Sequence, residues 1–123
     1  MEMLEMKPKK GIKEVTLKLN YYKSEVDKKN GIYYGGVAEP RYINELSINI
    51  EDDYEFDIET EQFNKNGMFS VEISGTKRAL KEMGKFLLNM ALYKTEDEDY
   101  HEHIDQLKDS MGNPIANITI RKK

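Results

Sequence analysis

Three runs in this 123-residue chain hold the residue types that could do chemistry. His101-Glu102-His103-Ile104-Asp105 contains both histidines of the protein. On an extended strand, residues i, i+2 and i+4 share a face, so both imidazoles and the Asp105 carboxylate could converge on one cation. Two histidines and a carboxylate form a ligand set for zinc or iron. The run is short, however, and we read it as one imidazole packed under a helix end with the other in solvent. We expect no metal and no cofactor; His101, His103 and Asp105 are the candidates should a metal-dependent hydrolase be hidden here.

The second run, Gly75-Thr76-Lys77, precedes a helical pattern and could draw an anion to free backbone N–H groups. It lacks the upstream glycine of a phosphate-binding loop, and we read it as a helix start. No serine sits in a Gly-x-Ser-x-Gly elbow. The chain has no cysteine, which removes thiol catalysis, disulfides, Cys-based zinc sites and iron–sulfur clusters. An enzyme is not expected.

The third run, Glu51 to Glu61, is acidic at every odd position: Glu51, Asp53, Glu55, Asp57, Glu59 and Glu61. Tyr54, Phe56 and Ile58 fall between them and would anchor the strand, which sends the carboxylates outward. Alternate residues on a strand rise ~6.6–6.8 Å, comparable to neighbouring phosphates along one nucleic-acid strand. A solvated face that resists aggregation would look the same. As a docking surface, the ridge would speed association with a basic protein and reject wrong partners. We expect Asp53, Glu55, Asp57, Glu59 and Glu61 to bind a partner, with some of the eight tyrosines as anchors beside them.

Charge is segregated along the rest of the chain. Residues 1–30 carry eight Lys against five acids, a net +3; residues 31–62 carry one Arg against nine acids, a net −8. Residues 63–95 return to +4 and residues 96–123 to −3, for −4 overall. No uniformly basic stripe marks a nucleic-acid binder, and no apolar run approaches the ~18 residues of a membrane span. The N-terminus, MEMLEMKPKK, has no apolar core of a secretory signal. We expect a cytoplasmic protein that contacts neither nucleic acid nor membrane.

The elements that must position these groups are read from periodicity. Residues 1–11 are expected to be disordered and residues 12–123 to form one domain. Val15, Leu17, Leu19 and Tyr21 alternate with polar residues, as in a half-buried strand. Asn30-Gly31 offers a turn, and Gly35-Gly36 should weaken or bend the returning strand. Leu46, Ile48 and Ile50 alternate, and so do Tyr54, Phe56 and Ile58. A three-residue turn at Glu51-Asp52-Asp53 would pair these two runs apolar to apolar; one long bent strand is the alternative. With the turn, Glu55, Asp57, Glu59 and Glu61 form the ridge, and Glu51, Asp52 and Asp53 its tip. Asn66-Gly67 is a second hairpin signal, followed by a strand through Phe69, Val71 and Ile73.

From Lys77 to Tyr93 the period becomes helical: Leu80, Met83, Leu87, Met90 and Ala91 against Lys77, Lys81, Glu82, Lys85 and Asn89. Thr76 suits the N-cap. Gly84 inside the helix implies close packing on a sheet. A short strand at 100–105, a turn at Met111 to Pro114 and a strand through Ala116, Ile118 and Ile120 complete the chain. The fold class is α+β: an antiparallel sheet built from hairpins, with one long amphipathic helix on one face.

The stretch FSVEISGTKRALKEMGKFLLNMALYKTEDEDYHEHIDQ, followed by a turn and ANITIRK, resembles the immunity protein 32 family of bacterial polymorphic toxin systems. A strand ending in Gly75, a Leu-rich helix, an acidic loop, the His-x-His-x-Asp strand and a final strand carry the resemblance, over about residues 69–121. It implies neutralisation of a toxin by binding and supplies no catalytic residues. An acidic surface suits an inhibitor that occludes the basic groove of a nuclease. The reading is therefore a small acidic immunity protein or inhibitor, its partner a basic toxin or nuclease. A nucleic-acid mimic that blocks another DNA- or RNA-binding protein is the alternative.

Overall fold

The computed structural model describes residues 6–123. It is α+β: three antiparallel hairpins and one helix. Tyr21–Asp27 (β1) pairs with Ile32–Val37 (β2), Leu46–Asp57 (β3) with Gln62–Gly75 (β4), and His101–Lys108 (β5) with Pro114–Arg121 (β6). Helix α1, Lys77–Leu92, follows β4. Each pair is a separate two-stranded sheet, where one continuous sheet was expected. Side chains therefore hold the pairs together. The core draws Val37 from β2, Leu46 and Ile48 from β3, Ala79, Phe86 and Met90 from α1, and Ile104 and Leu107 from β5, with Tyr93 and Tyr100 beside them.

The alternation at 12–20 does not make a strand. Val15, Thr16 and Leu17 instead line an open surface groove with Lys81, Gly84 and Lys85 of α1, and Val15 is 67% exposed. Pairing starts only where the Asn20 carbonyl accepts from Ala38 N–H at 3.0 Å. Of the segment expected to be disordered, residues 1–5 lie outside the described residues, and 6–11 are exposed without regular structure.

The expected turn at Asn30-Gly31 is present. Gly31 sits at φ 65°, and the Asp27 carboxylate accepts from the N–H groups of Lys29 and Asn30. The turn expected at Glu51 to Asp53 is absent, because β3 runs on as one strand to Asp57. Asn66-Gly67 is a bulge rather than a hairpin end. Asp52 pairs with Phe69 and Tyr54 with Lys65, which leaves Asn66, Gly67 and Met68 against Asp53 alone. The Asn66 side chain builds it, donating to Asp53 at 2.7 Å and accepting from Met68 N–H at 3.0 Å. A positive-φ Gly after Asn serves a bulge as well as a turn, so the dipeptide did not distinguish them. The chain reverses at Ile58 to Glu61 instead.

Helix α1 starts as expected: the Thr76 hydroxyl accepts from Ala79 N–H at 3.2 Å. Its inward face is rotated from the expected one. Ala79, Phe86, Asn89 and Met90 are buried, while Leu80 and Leu87 are about half exposed. Asn89, expected outside, turns in because its amide donates to the Asn20 carbonyl at 2.8 Å.

Gly84 does not mark close packing, since an added Cβ would meet nothing within 4 Å. At Gly75 a Cβ would stand 2.9 Å from Leu46 Cδ1 and 3.3 Å from Leu80 Cγ. At Gly35, with φ 109°, it would stand 2.6 Å from the Lys23 carbonyl oxygen. Gly84→Ala is expected to raise stability by about 0.4–1 kcal/mol. Gly75→Ala and Gly35→Ala are expected to lower it by about 1–3 kcal/mol, by overpacking and backbone strain respectively. Urea midpoints of the three variants check the sign at each position.

Candidate partner-binding face

Hairpin β3–β4 is a two-faced ribbon, and the ladder assigns its faces. Ile48 pairs with Ile73, Ile50 with Val71, Asp52 with Phe69, Tyr54 with Lys65 and Phe56 with Phe63; paired residues share a face. The Phe56 and Phe63 rings lie 5.2 Å apart, and Asp52 and Lys65 form an ion pair at 3.0 Å. The other face pairs Asn49 with Glu72, Glu51 with Ser70, Glu55 with Asn64 and Asp57 with Gln62, and sets Asp53 against the Asn66 bulge.

Glu51, Asp53, Glu55 and Asp57 therefore form one row ~20 Å long at alternate positions on β3. No basic residue is paired across the ladder on this face. The salt bridges among the described residues, Lys65–Asp52, Arg78–Glu45 and Arg121–Asp99, leave the row untouched. The expected ridge is thus shifted. Glu51 and Asp53, assigned to a tip, lie in the strand. Glu59 and Glu61 lie in the reversal, Glu61 at φ 54°. Two members of the row also shape backbone: Asp53 holds the bulge, and Asp57 accepts from Glu59 N–H at 2.9 Å. Glu72 joins this face from β4 and was missed, because the turn assumed at Asn66-Gly67 hid its register. Of the eight tyrosines, Tyr93 and Tyr100 are core, and Tyr54 lies on the ribbon's apolar face.

His101 and His103 share a face of β5, their rings 4.8 Å apart and nearly perpendicular. His101 Nδ1 lies 2.6 Å from the Asp99 carbonyl oxygen, and His103 Nδ1 lies 3.1 Å from the Thr119 hydroxyl. The regular pairing breaks after Ile104. Asp105 and Gln106 stand against Asn117 alone, Gln106 at φ 55°, its N–H donating to the Asn117 side chain at 2.8 Å. That bulge lets both Ile104 and Leu107 turn inward. Among the described residues, no three His, Cys, Asp or Glu side chains are grouped to hold a metal ion. Elemental analysis of the purified protein is expected to find no stoichiometric zinc or iron. Near one equivalent, lost on replacing His101 and His103 together with Ala, would reverse this reading.

A second charged cluster joins the loop before β3 to the helix start. The Arg78 guanidinium donates to both Glu45 oxygens, and the Thr76 hydroxyl donates to Glu45 Oε1 at 2.7 Å. Arg78 also lies over the Tyr42 ring, 4.1 Å from its centroid. These hydrogen bonds, Arg78 first and Thr76 second, hold the Glu45 carboxyl down from 4.5 to about 2. A lowered carboxylate favours the fold fully above the unfolded value and loses that contribution as pH falls. Glu45→Gln is therefore expected to flatten the loss of stability between pH 4.5 and about 2, read from unfolding midpoints across that range.

A family model described as immunity protein 32 matches residues 70–116. The match runs from the second half of β4 through α1 and β5 to the first residues of β6. No curated protein and no solved structure matches the chain. The matched segment supplies most of the core and includes Glu72, whereas the row on β3 lies outside it.

Proposed function

We propose that this chain is a cytoplasmic immunity protein that neutralises a toxin by binding and occluding a basic surface, as on a nuclease. The immunity protein 32 match over residues 70–116 carries the reading. The row Glu51, Asp53, Glu55 and Asp57, with Glu59 and Glu61 at its end, supports a basic partner, since no base lies across the ladder from it. Like charges in a row cost self-repulsion and add nothing to a core; steering an oppositely charged partner gives them a use. Binding rather than chemistry is the mode of this reading, as the immunity protein 32 match implies action on a toxin by contact.

The spacing of the row favours a second reading. Carboxylates ~6.6–6.8 Å apart follow the repeat of a phosphate backbone, so the same face would suit a mimic that displaces nucleic acid from its binding protein. Both readings place the partner on one face.

Co-expression with a toxin, where one is encoded beside its gene, is expected to restore growth. Glu51→Gln, Asp53→Asn, Glu55→Gln and Asp57→Asn together are expected to slow association on the order of tenfold or more at low salt and flatten its salt dependence, with less effect on dissociation. No single replacement should abolish binding, as exposed pairs contribute only ~0.2–1 kcal/mol each. Failure to protect would overturn the immunity reading. Unchanged association across the salt series would move the partner to another face.

A further inference from the structure

The apolar face of the ribbon lies opposite the acidic row and has no cover among the described residues. Ile50, Tyr54 and Phe56 on β3 are 45%, 51% and 52% exposed, and Phe63, Phe69 and Val71 on β4 are 71%, 70% and 55% exposed. A bare two-stranded hairpin is marginal in water and needs a further layer on its apolar side. Four aromatic or large rings and branched side chains at these exposures present on the order of 600–800 Å². That exceeds the usual largest apolar patch of a monomer, ~300–600 Å², and approaches the ~800 Å² each partner gives to a stable interface.

We propose that a second copy of this chain covers this face, ribbon on ribbon about a two-fold axis. Charge favours this occupant. The patch's charged groups, Asp52 and Lys65, are already paired with each other at 3.0 Å. The face is thus neutral and offers nothing to select a basic or acidic partner. The acidic row of each copy points away from the contact, so two chains of net charge −4 can meet here without opposing their densest negative charge. The patch is also suited to self-pairing. The Ile50–Val71 pair lies on one side of Asp52 and Lys65, and the Phe56–Phe63 pair on the other. An antiparallel two-fold sets the aliphatic end of one ribbon on the aromatic end of the other. It brings Asp52 of each copy toward Lys65 of its mate. Two ribbons stacked ~10 Å apart make a small four-stranded sandwich, with both acidic rows on its outer faces. A self-complementary patch of this kind closes as a dimer and does not propagate.

Sedimentation of the full chain from about 1 to 100 μM is expected to show a species of twice the 14.4 kDa chain mass. Phe63→Lys with Val71→Lys is expected to leave only monomer, with far-ultraviolet circular dichroism unchanged because neither side chain is buried. Should that variant unfold, the cysteine-free chain permits a second test. Tyr54→Cys, on the apolar face, is expected to be joined into a dimer by a bis-maleimide whose reach matches the ~10 Å between stacked sheets, and Glu55→Cys, on the acidic face, to remain monomeric. Monomer alone at 100 μM, a dimer indifferent to Phe63→Lys with Val71→Lys, or equal cross-linking from both faces would overturn the proposal. A monomer whose protection against toxin is lost in the lysine variant would assign the face to the toxin instead.

Discussion

Tyr93 is the contact that ties the first and last hairpins to the end of the helix. They share no backbone ladder, so their relative placement rests on side chains. Tyr93 sits just past α1, 5% exposed. Its hydroxyl donates to the Tyr22 carbonyl at 2.7 Å and its ring meets Tyr21 edge-on, which fixes β1. The same ring stacks on Tyr100 at 4.9 Å, and its carbonyl accepts from the Lys122 ammonium at 2.9 Å, which fixes the C-terminal hairpin. Gly35 exists in this setting because the Tyr93 hydroxyl and the Lys23 carbonyl fill the space a Cβ would need. Tyr100 extends the network: burial, and then its hydrogen bond to Glu102, raise its phenol well above the ordinary value. Glu102 also accepts from Val37 N–H, joining β5 to β2.

Because so much placement is done by one end of the helix, the far ends of the hairpins are left outside the core. Leu46 and Ile48, at the base of β3, are 5% and 4% exposed; Ile50, one step on, is 45% exposed. The ribbon leaves the core within a single pair of residues and still keeps strict alternation beyond it. Alternation that far out buries little within one chain, although it pairs Phe56 with Phe63 across the ladder. It produces instead two surfaces of opposite character on one thin element, carboxylates on one side and aromatic rings on the other.

The class of the fold was legible because it depends on local periods: two in the hairpins, 3.6 between Lys77 and Leu92, and the Thr76 cap. What failed was assignment of partners. A turn at Glu51-Asp52-Asp53 pairs apolar with apolar inside one short hairpin. The longer ladder to β4 satisfies the same rule with Ile73 and Val71 as partners, and nothing within 46–58 chooses between them. Two apolar stripes also fit α1. Leu80, Leu87 and Ala91 are as regular as Ala79, Met83, Phe86 and Met90, and the choice is made by Asn89 reaching the distant Asn20 carbonyl. The run places the two histidines on one face, as found, but does not show the bulge that follows, since two residues standing against Asn117 depend on the closing strand rather than on the run itself.

The acidic row was legible as a pattern and misplaced by one turn. Its chemistry survives that error, because moving the reversal from 51–53 to 58–61 keeps the odd residues of β3 on one side. Register decides what lies behind them. With the short hairpin, Tyr54 and Phe56 would have been paired with Ile50 and Ile48 and drawn toward the core; with the long one, they pair with Lys65 and Phe63 and stay in solvent. One ladder thus exposes an apolar face and sets an acidic face against its back. Charge steering acts over a Debye length of about 8 Å at physiological salt, whereas apolar burial acts only on contact. A partner drawn to the carboxylates and a partner seated on the rings need not compete, since the ribbon offers them opposite sides.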